Sequence, residues 1–122
     1  MATYKEIIVY KKAFVLALEI HRITKLFPKE EQFALVNQIR RSSRSVCLNL
    51  AEGFRKVKYP AHFVAKATDA DMENSETDVW LDFSLEFGYI SNKSHTDLAS
   101  RCAEIGRLLN SIIENPARYG AK

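Results

Sequence analysis

Glycine is scarce in this chain, with four residues among 122, and none of them builds a phosphate-cradling loop. Nucleotide-binding motifs that depend on glycine-rich turns are therefore excluded. Proline occurs only at Pro28, Pro60 and Pro116, which leaves long stretches free of helix breakers. The two cysteines, Cys47 and Cys102, are far apart and outside any metal-ligand spacing, so they read as reduced core thiols of a cytosolic protein. The apolar run from Ile7 to Ile20 is broken by Lys11, Lys12 and Glu19. It reads as neither a signal peptide nor a membrane span, and the expected location is cytoplasmic. No segment alternates with period two over a strand length, and there is no repeat or Gly/Ser linker. No Glu stands three residues before His21, His62 or His95, so the paired ligands of a bundle di-iron site are missing. No metal, cofactor or small-molecule substrate is expected, and no catalytic residue is assigned.

What remains is a single domain spanning 1–122, with 47% hydrophobic residues and a formal charge of +3. Apolar positions recur at steps of three and four, as a helix facing a core requires. Tyr10, Ala13, Ala17, Ile20 and Phe27, with Phe14, Leu16 and Ile23, define a helix over about 4–27 that ends at Phe27-Pro28. Val36, Ile39, Ser43, Val46 and Leu50 define a second over about 30–54, with Glu30 and Glu31 in its first turn and Gly53 as a stop. Pro60 opens a third over about 60–88, through Phe63, Ala67, Ala70, Asn74, Leu81 and Leu85. Ser91 or Ser94 caps a fourth over about 94–115, with Leu98, Cys102, Ile105, Leu109 and Ile112, and a short tail follows. Four long helices with short connections imply an all-α, antiparallel up-down-up-down four-helix bundle.

Two features exceed what a lone bundle needs. Late in the third helix, Val79, Trp80, Phe83 and Phe87 lie roughly opposite the core face of Leu81 and Leu85. Soluble monomers avoid an apolar patch of that kind, so self-association across these four residues is expected. Charge is also segregated. Arg40, Arg41, Arg44, Glu52, Arg55, Lys56 and Lys58 give a net +5, whereas Asp69, Asp71, Glu73, Glu76, Asp78, Asp82 and Glu86 give −7. Guanidinium forks fit phosphate oxygens. Arg40, Arg41, Arg44, Arg55, Lys56 and Lys58 are thus a candidate surface for an RNA or DNA backbone, with pairing to the acidic third helix as the competing use. No aromatic is interleaved, so base stacking is not indicated. Gln38, Arg41, Asn49 and Glu52 are expected to form a polar network fixing helix register. Asp69, Glu73 and Glu76 share a face and read as solvated acids. Arg55 and His62, with six residues between them, match the spacing of a small helical RNase motif, but Pro60 between them disfavours the geometry.

The stretch QIRRSSRSVCLNLAEG, from Gln38 to Gly53, resembles the motif of the four-helix-bundle family encoded within intervening sequences of bacterial 23S ribosomal RNA genes, often labelled S23 ribosomal protein. VYKKA from Val9, the FP ending the first helix, SETDVWLDF and the following GYI extend the resemblance over nearly the whole chain. The resemblance implies a small cytosolic bundle assembled as a ring-shaped homo-pentamer. A related bundle is a nucleic-acid-binding accessory protein of diversity-generating retroelements. The family often has Ala-Ala where this chain has Ser42-Ser43, Ile where it has Val46 and Leu50, and Gly-Ser near Met72-Glu73. A protein-interaction scaffold with no nucleic-acid role is the alternative reading.

Overall fold

The computed structural model describes residues 3–121. Four α-helices account for most of them: α1 (Ile8–Thr24), α2 (Leu35–Arg55), α3 (Pro60–Glu86) and α4 (Asn92–Glu114). No strand occurs among the described residues. The helices run antiparallel, because cross-helix partners advance along one helix as they retreat along its neighbour. Arg40 meets Thr24 while Arg44 meets His21, and Ser42 meets Thr77 while Glu52 meets Lys66. α1 packs on α2 and α4 but not on α3, so α1 and α3 stand at diagonal corners. No helix is long and apolar enough to cross a membrane, among the described residues.

The periodic stripes become the core. Ala13, Leu16 and Ile20 meet Ile39, Val46 and Leu50, then Phe63, Ala70 and Leu81, then Ile105, Leu109 and Ile112. At about 25 cal/mol per Å² of apolar surface removed from water, this contact dominates stability. Phe54 packs edge-on against Phe63 at 4.9 Å, and a Cβ added to Gly53 would lie 3.1 Å from Lys66 Cβ. Glycine there lets α2 and α3 converge just before their connecting turn.

The core also holds polar side chains, and each has a partner among the described residues. Ser42 and Thr77 share a 2.8 Å hydrogen bond between α2 and α3, and Asn74 donates to the Cys102 carbonyl of α4 at 2.9 Å. Ser42 of the Ser-Ser pair thus serves as a helix-to-helix contact, while Ser43 donates to the Arg40 carbonyl of its own helix at 3.2 Å. Met72 points to solvent and Glu73 to Arg41, so their size does not hold the helices apart.

Several boundaries differ from the periodicity reading, for local reasons. A 3-10 turn at Tyr4–Glu6 precedes α1, and extended Ile7 separates the two. α2 begins at Leu35, because Ala34 leaves helical geometry and Glu31 caps from outside, its carboxylate accepting from the Leu35 N–H at 3.3 Å. The other oxygen of Glu31 accepts from the Tyr89 hydroxyl at 2.8 Å, and Tyr89 stacks near Phe27 at 5.1 Å. These contacts close one end of the molecule. Ser91 is the cap of α4, accepting from Ser94 N–H at 3.1 Å. The expected tail instead forms a 3-10 turn at Pro116–Tyr119 that folds back onto the ends of α3 and α4. Tyr119 pairs with Ser111 at 3.0 Å, Gly120 takes a left-handed φ of 98°, and Ala121 is buried. Lys122 lies outside the described residues.

Both thiols are buried and unbridged. Burial pushes the Cys47 thiol up to about 11 and the Cys102 thiol up to about 12, so neither is a nucleophile near neutral pH.

Candidate functional site

The six basic residues singled out by charge divide into two groups. The first lies mid-helix on α2 and is engaged within the chain. Arg40 reaches α1, donating from Nε to Thr24 Oγ1 at 2.9 Å and from Nη2 to the His21 carbonyl at 3.2 Å. Thr24 in turn donates to the Ile20 carbonyl at 2.7 Å, so the guanidinium ties off the last turn of α1. Arg41 turns the other way. It pairs with Glu73 at 2.8 Å and with Glu76 on α3 and donates from Nε to Gln38 Oε1 at 3.3 Å. Arg44 donates to His21 Nδ1 at 3.0 Å. The ion pairs of Arg41 with Glu73 and Glu76 are partly exposed, so each stabilises by no more than about 1 kcal/mol. Their main effect is to aim the side chains.

The second group is free. Arg55, at the end of α2, and Lys58, in the turn, have no hydrogen-bond or ion-pair partner among the described residues. Lys56 touches only the Tyr59 ring face, at 5.9 Å. The antiparallel layout places this turn at the end of the bundle where the first and last described residues lie. The first 3-10 turn packs on α1 and α2, and the last packs on α3 and α4. Gly120 comes so near the turn that a Cβ there would lie 3.4 Å from Val57 Cγ2. Lys5 and Arg118, which charge counting passed over, therefore join the same end. The signal that could have found them is topological, since an even number of antiparallel helices returns both termini to one end. Arg55 and His62 are both exposed and no hydrogen bond joins them among the described residues; His62 instead sits edge-on to Tyr59 at 6.3 Å.

The expected network of Gln38, Arg41, Asn49 and Glu52 does not form. Only Gln38 and Arg41 touch. Asn49 donates to the Ser45 carbonyl at 2.9 Å within its own helix, and Glu52 takes Lys66 of α3 at 2.8 Å. Register is carried by Ser42, Thr77 and Asn74, deeper in the core. Of the acidic trio, Glu73 and Glu76 are held by Arg41, and no group of three potential metal ligands occurs among the described residues.

Val79 and Phe83 on α3, and Phe87 just past its end, stand outward, 44–55% exposed. Trp80 does not stand with them. Its ring packs against the edge of the core, and its indole N–H donates to Glu76 at 3.3 Å. An indole that can bury its face and satisfy its donor leaves the surface. Trp80, Phe83, Phe87 and Tyr89 form a continuous ladder, with successive centroids 5.8, 5.8 and 5.7 Å apart.

A second apolar surface, unremarked in the sequence, lies on the α1–α2 side. Phe14, Leu18 and Leu48 are 48–60% exposed around a depression of about 480 Å³ that also takes in Tyr10, His21 and Arg44. Phe14 counted toward the core stripe of α1, but at its angle it stacks on Tyr10 at 6.0 Å outside the core.

His21 sits at the rim of this depression. The Arg40 charge, then partial burial, then Lys25 and Arg44 lower its pKa from the ordinary 6.5. Its Nδ1 accepts from Arg44, which requires the neutral ring. Because the unfolded chain protonates first, stability is expected to fall as pH drops below about 6.5 and to level off once the folded imidazole is also protonated. An NMR titration of His21 checks this. Arg40→Gln should move the midpoint up toward 6.5, and an unmoved midpoint would refute the assigned cause.

The chain matches the family described as 23S rRNA-intervening sequence protein over residues 5–111. Among solved structures it is similar to a crystal structure of a protein with unknown function from the S23 ribosomal protein family of Bacteroides thetaiotaomicron VPI-5482. The two are 30% identical, the match covers 88% of this chain and 96% of that one, and the TM-score is 0.80. No curated protein matches the sequence significantly.

Proposed function

We propose, from the premise that the chain belongs to the 23S rRNA-intervening sequence protein family, that it is a non-enzymatic helical bundle which self-associates and holds RNA or DNA by the backbone. The observation that carries the nucleic-acid reading is the set of free cations at one end. Arg55, Lys56 and Lys58 stand together with Lys5 and Arg118 nearby, whereas Arg40, Arg41 and Arg44 are spent on contacts within the chain. Phosphates are the ligand such a cluster attracts, and the exposed Tyr59 ring beside Lys56 offers a stacking surface that any base could use without being read.

Self-association rests on Val79, Phe83 and Phe87, which are too apolar to remain wet, with Trp80 supporting them from behind. A closed ring of five copies is the assembly proposed, and it would multiply one modest basic patch into a band able to grip an extended strand.

The test is binding to a single-stranded RNA of mixed sequence, measured against salt. Log K should fall by about 0.7 per phosphate contact per decade of salt. Affinity indifferent to salt, or none at low salt, defeats the reading.

A further inference from the structure

We propose that Tyr59 makes the basic end selective for single strands: its ring takes the face of an unpaired base while Arg55, Lys56 and Lys58 hold the neighbouring phosphates. This rests on the phosphate-binding reading above and names the form of nucleic acid that the same site accepts.

Tyr59 parts company with the residues around it. Phe54 and Val57 pack on the core, and Phe63 is fully buried. Of the five tyrosines only Tyr59 is exposed, at 61%. A lone exposed ring is ordinary on a protein surface. What distinguishes this one is its setting, between Lys58 and His62 and beside Lys56, all of them exposed.

The ring stands on a fixed base. The Tyr59 N–H donates to the Lys56 carbonyl at 2.9 Å, and the Tyr59 carbonyl accepts from the Phe63 N–H at 3.0 Å. Pro60 follows at the start of α3 and keeps Tyr59 out of helical geometry, at φ −118° and ψ 86°. Binding therefore has little to order beyond two side-chain torsions. Lys56 Nζ lies 5.9 Å from the ring centroid, the far limit of a cation–π contact. A base can take its place and release the ammonium to a phosphate. His62 stands edge-on at 6.3 Å and 74°, which leaves most of the ring open.

This combination separates the two forms of nucleic acid. In a duplex each base face is covered by the next pair, so a helix offers this end its phosphates and nothing for the ring. An unpaired strand offers both. Every base has a π-face, so the selection is for strand form and not for sequence. An acidic peptide would answer the cations and leave the ring idle.

Substitution at Tyr59 tests it, with three probes: a mixed-sequence RNA strand, the matching duplex, and an equally long strand of sugar and phosphate without bases. Tyr59→Ala should weaken binding of the RNA strand about 10-fold and leave the other two unchanged. The slope of log K against log salt should also stay the same, because no phosphate contact is lost. Tyr59→Leu keeps bulk without a π-face and should lose as much as Tyr59→Ala. Tyr59→Phe keeps the face and should stay within about twofold of the wild type. The bonds that hold this position are made by backbone and the side chain is exposed, so the fold is spared. An undiminished Tyr59→Ala, a Tyr59→Leu that binds like the wild type, or an equal loss on the base-free strand overturns the stacking role and leaves the phosphate reading standing. A wild type that ignores all three probes at low salt overturns both.

Discussion

Replacing Arg55, Lys56 and Lys58 together with glutamine is expected to weaken single-stranded RNA binding about 100-fold at 0.1 M salt. Each phosphate contact to a single strand contributes about 0.7 to the slope of log K against log salt, so each is worth about fivefold per decade of salt and three multiply to about 100-fold. The slope itself should drop by about 2. The fold should be unaffected, since none of the three side chains carries an ion pair among the described residues and only Lys56 touches another side chain, the Tyr59 ring. The matched control is Arg41→Gln. It breaks the pairs with Glu73 and Glu76 and should lower thermal stability slightly while leaving RNA affinity within about twofold, because that guanidinium already faces carboxylates. If Arg41→Gln cost more affinity than the triple variant, the binding surface would lie on mid-α2 and the end cluster would be ordinary solvation.

Phe63→Ala should cost about 3–5 kcal/mol, the range for emptying a buried phenylalanine site. Phe63 is among the largest fully buried side chains, and it ties the start of α3 to the end of α2. Its ring meets Phe54 at 4.9 Å, its Cδ1 lies 3.9 Å from where a Gly53 Cβ would stand, and its N–H donates to the Tyr59 carbonyl at 3.0 Å. The site cannot collapse easily, because Gly53 already brings the two backbones close. Against a total stability of about 5–15 kcal/mol for a domain, the loss is large. Denaturant titration should show a lower midpoint at unchanged slope, and Phe63→Leu should restore more than half of the difference. A loss below about 1 kcal/mol would mean that the α2–α3 end is not part of the cooperative core. Since this end also carries Arg55, Lys56 and Lys58, the same substitution should weaken RNA binding near its melting range.

The sequence makes the helices legible because each has a long stripe at helical spacing and a proline near its boundary, as at Phe27-Pro28 and Tyr59-Pro60. The family was legible from QIRRSSRSVCLNLAEG and the motifs in order around it. What stayed hidden depends on rotation and register between helices. Arg40, Arg41 and Arg44 look like one basic face along α2, yet Arg40 and Arg44 swing to α1 and Arg41 to α3. No count along one helix reveals which neighbour stands on either side. Trp80 was grouped with Phe83 and Phe87 by angle alone; a long indole can bend back to the core edge where a phenyl cannot also satisfy a donor. Phe14 shows the opposite error, an apolar residue near the stripe whose angle carries it just past the core.

The bond from Asn74 to the Cys102 carbonyl makes α4 a keyed part. Gly106, one turn on, stands beside the amide, and a Cβ there would lie at ordinary contact distance, 3.5 Å from Asn74 Nδ2. Sliding α4 by a turn in either direction would bring another backbone carbonyl toward the amide but would set the side chain of Cys102 or Asn110 where Gly106 stands. The last two helices therefore have one favoured alignment, and the height at which α4 stands against α3 is set by that single notch rather than by the grease around it.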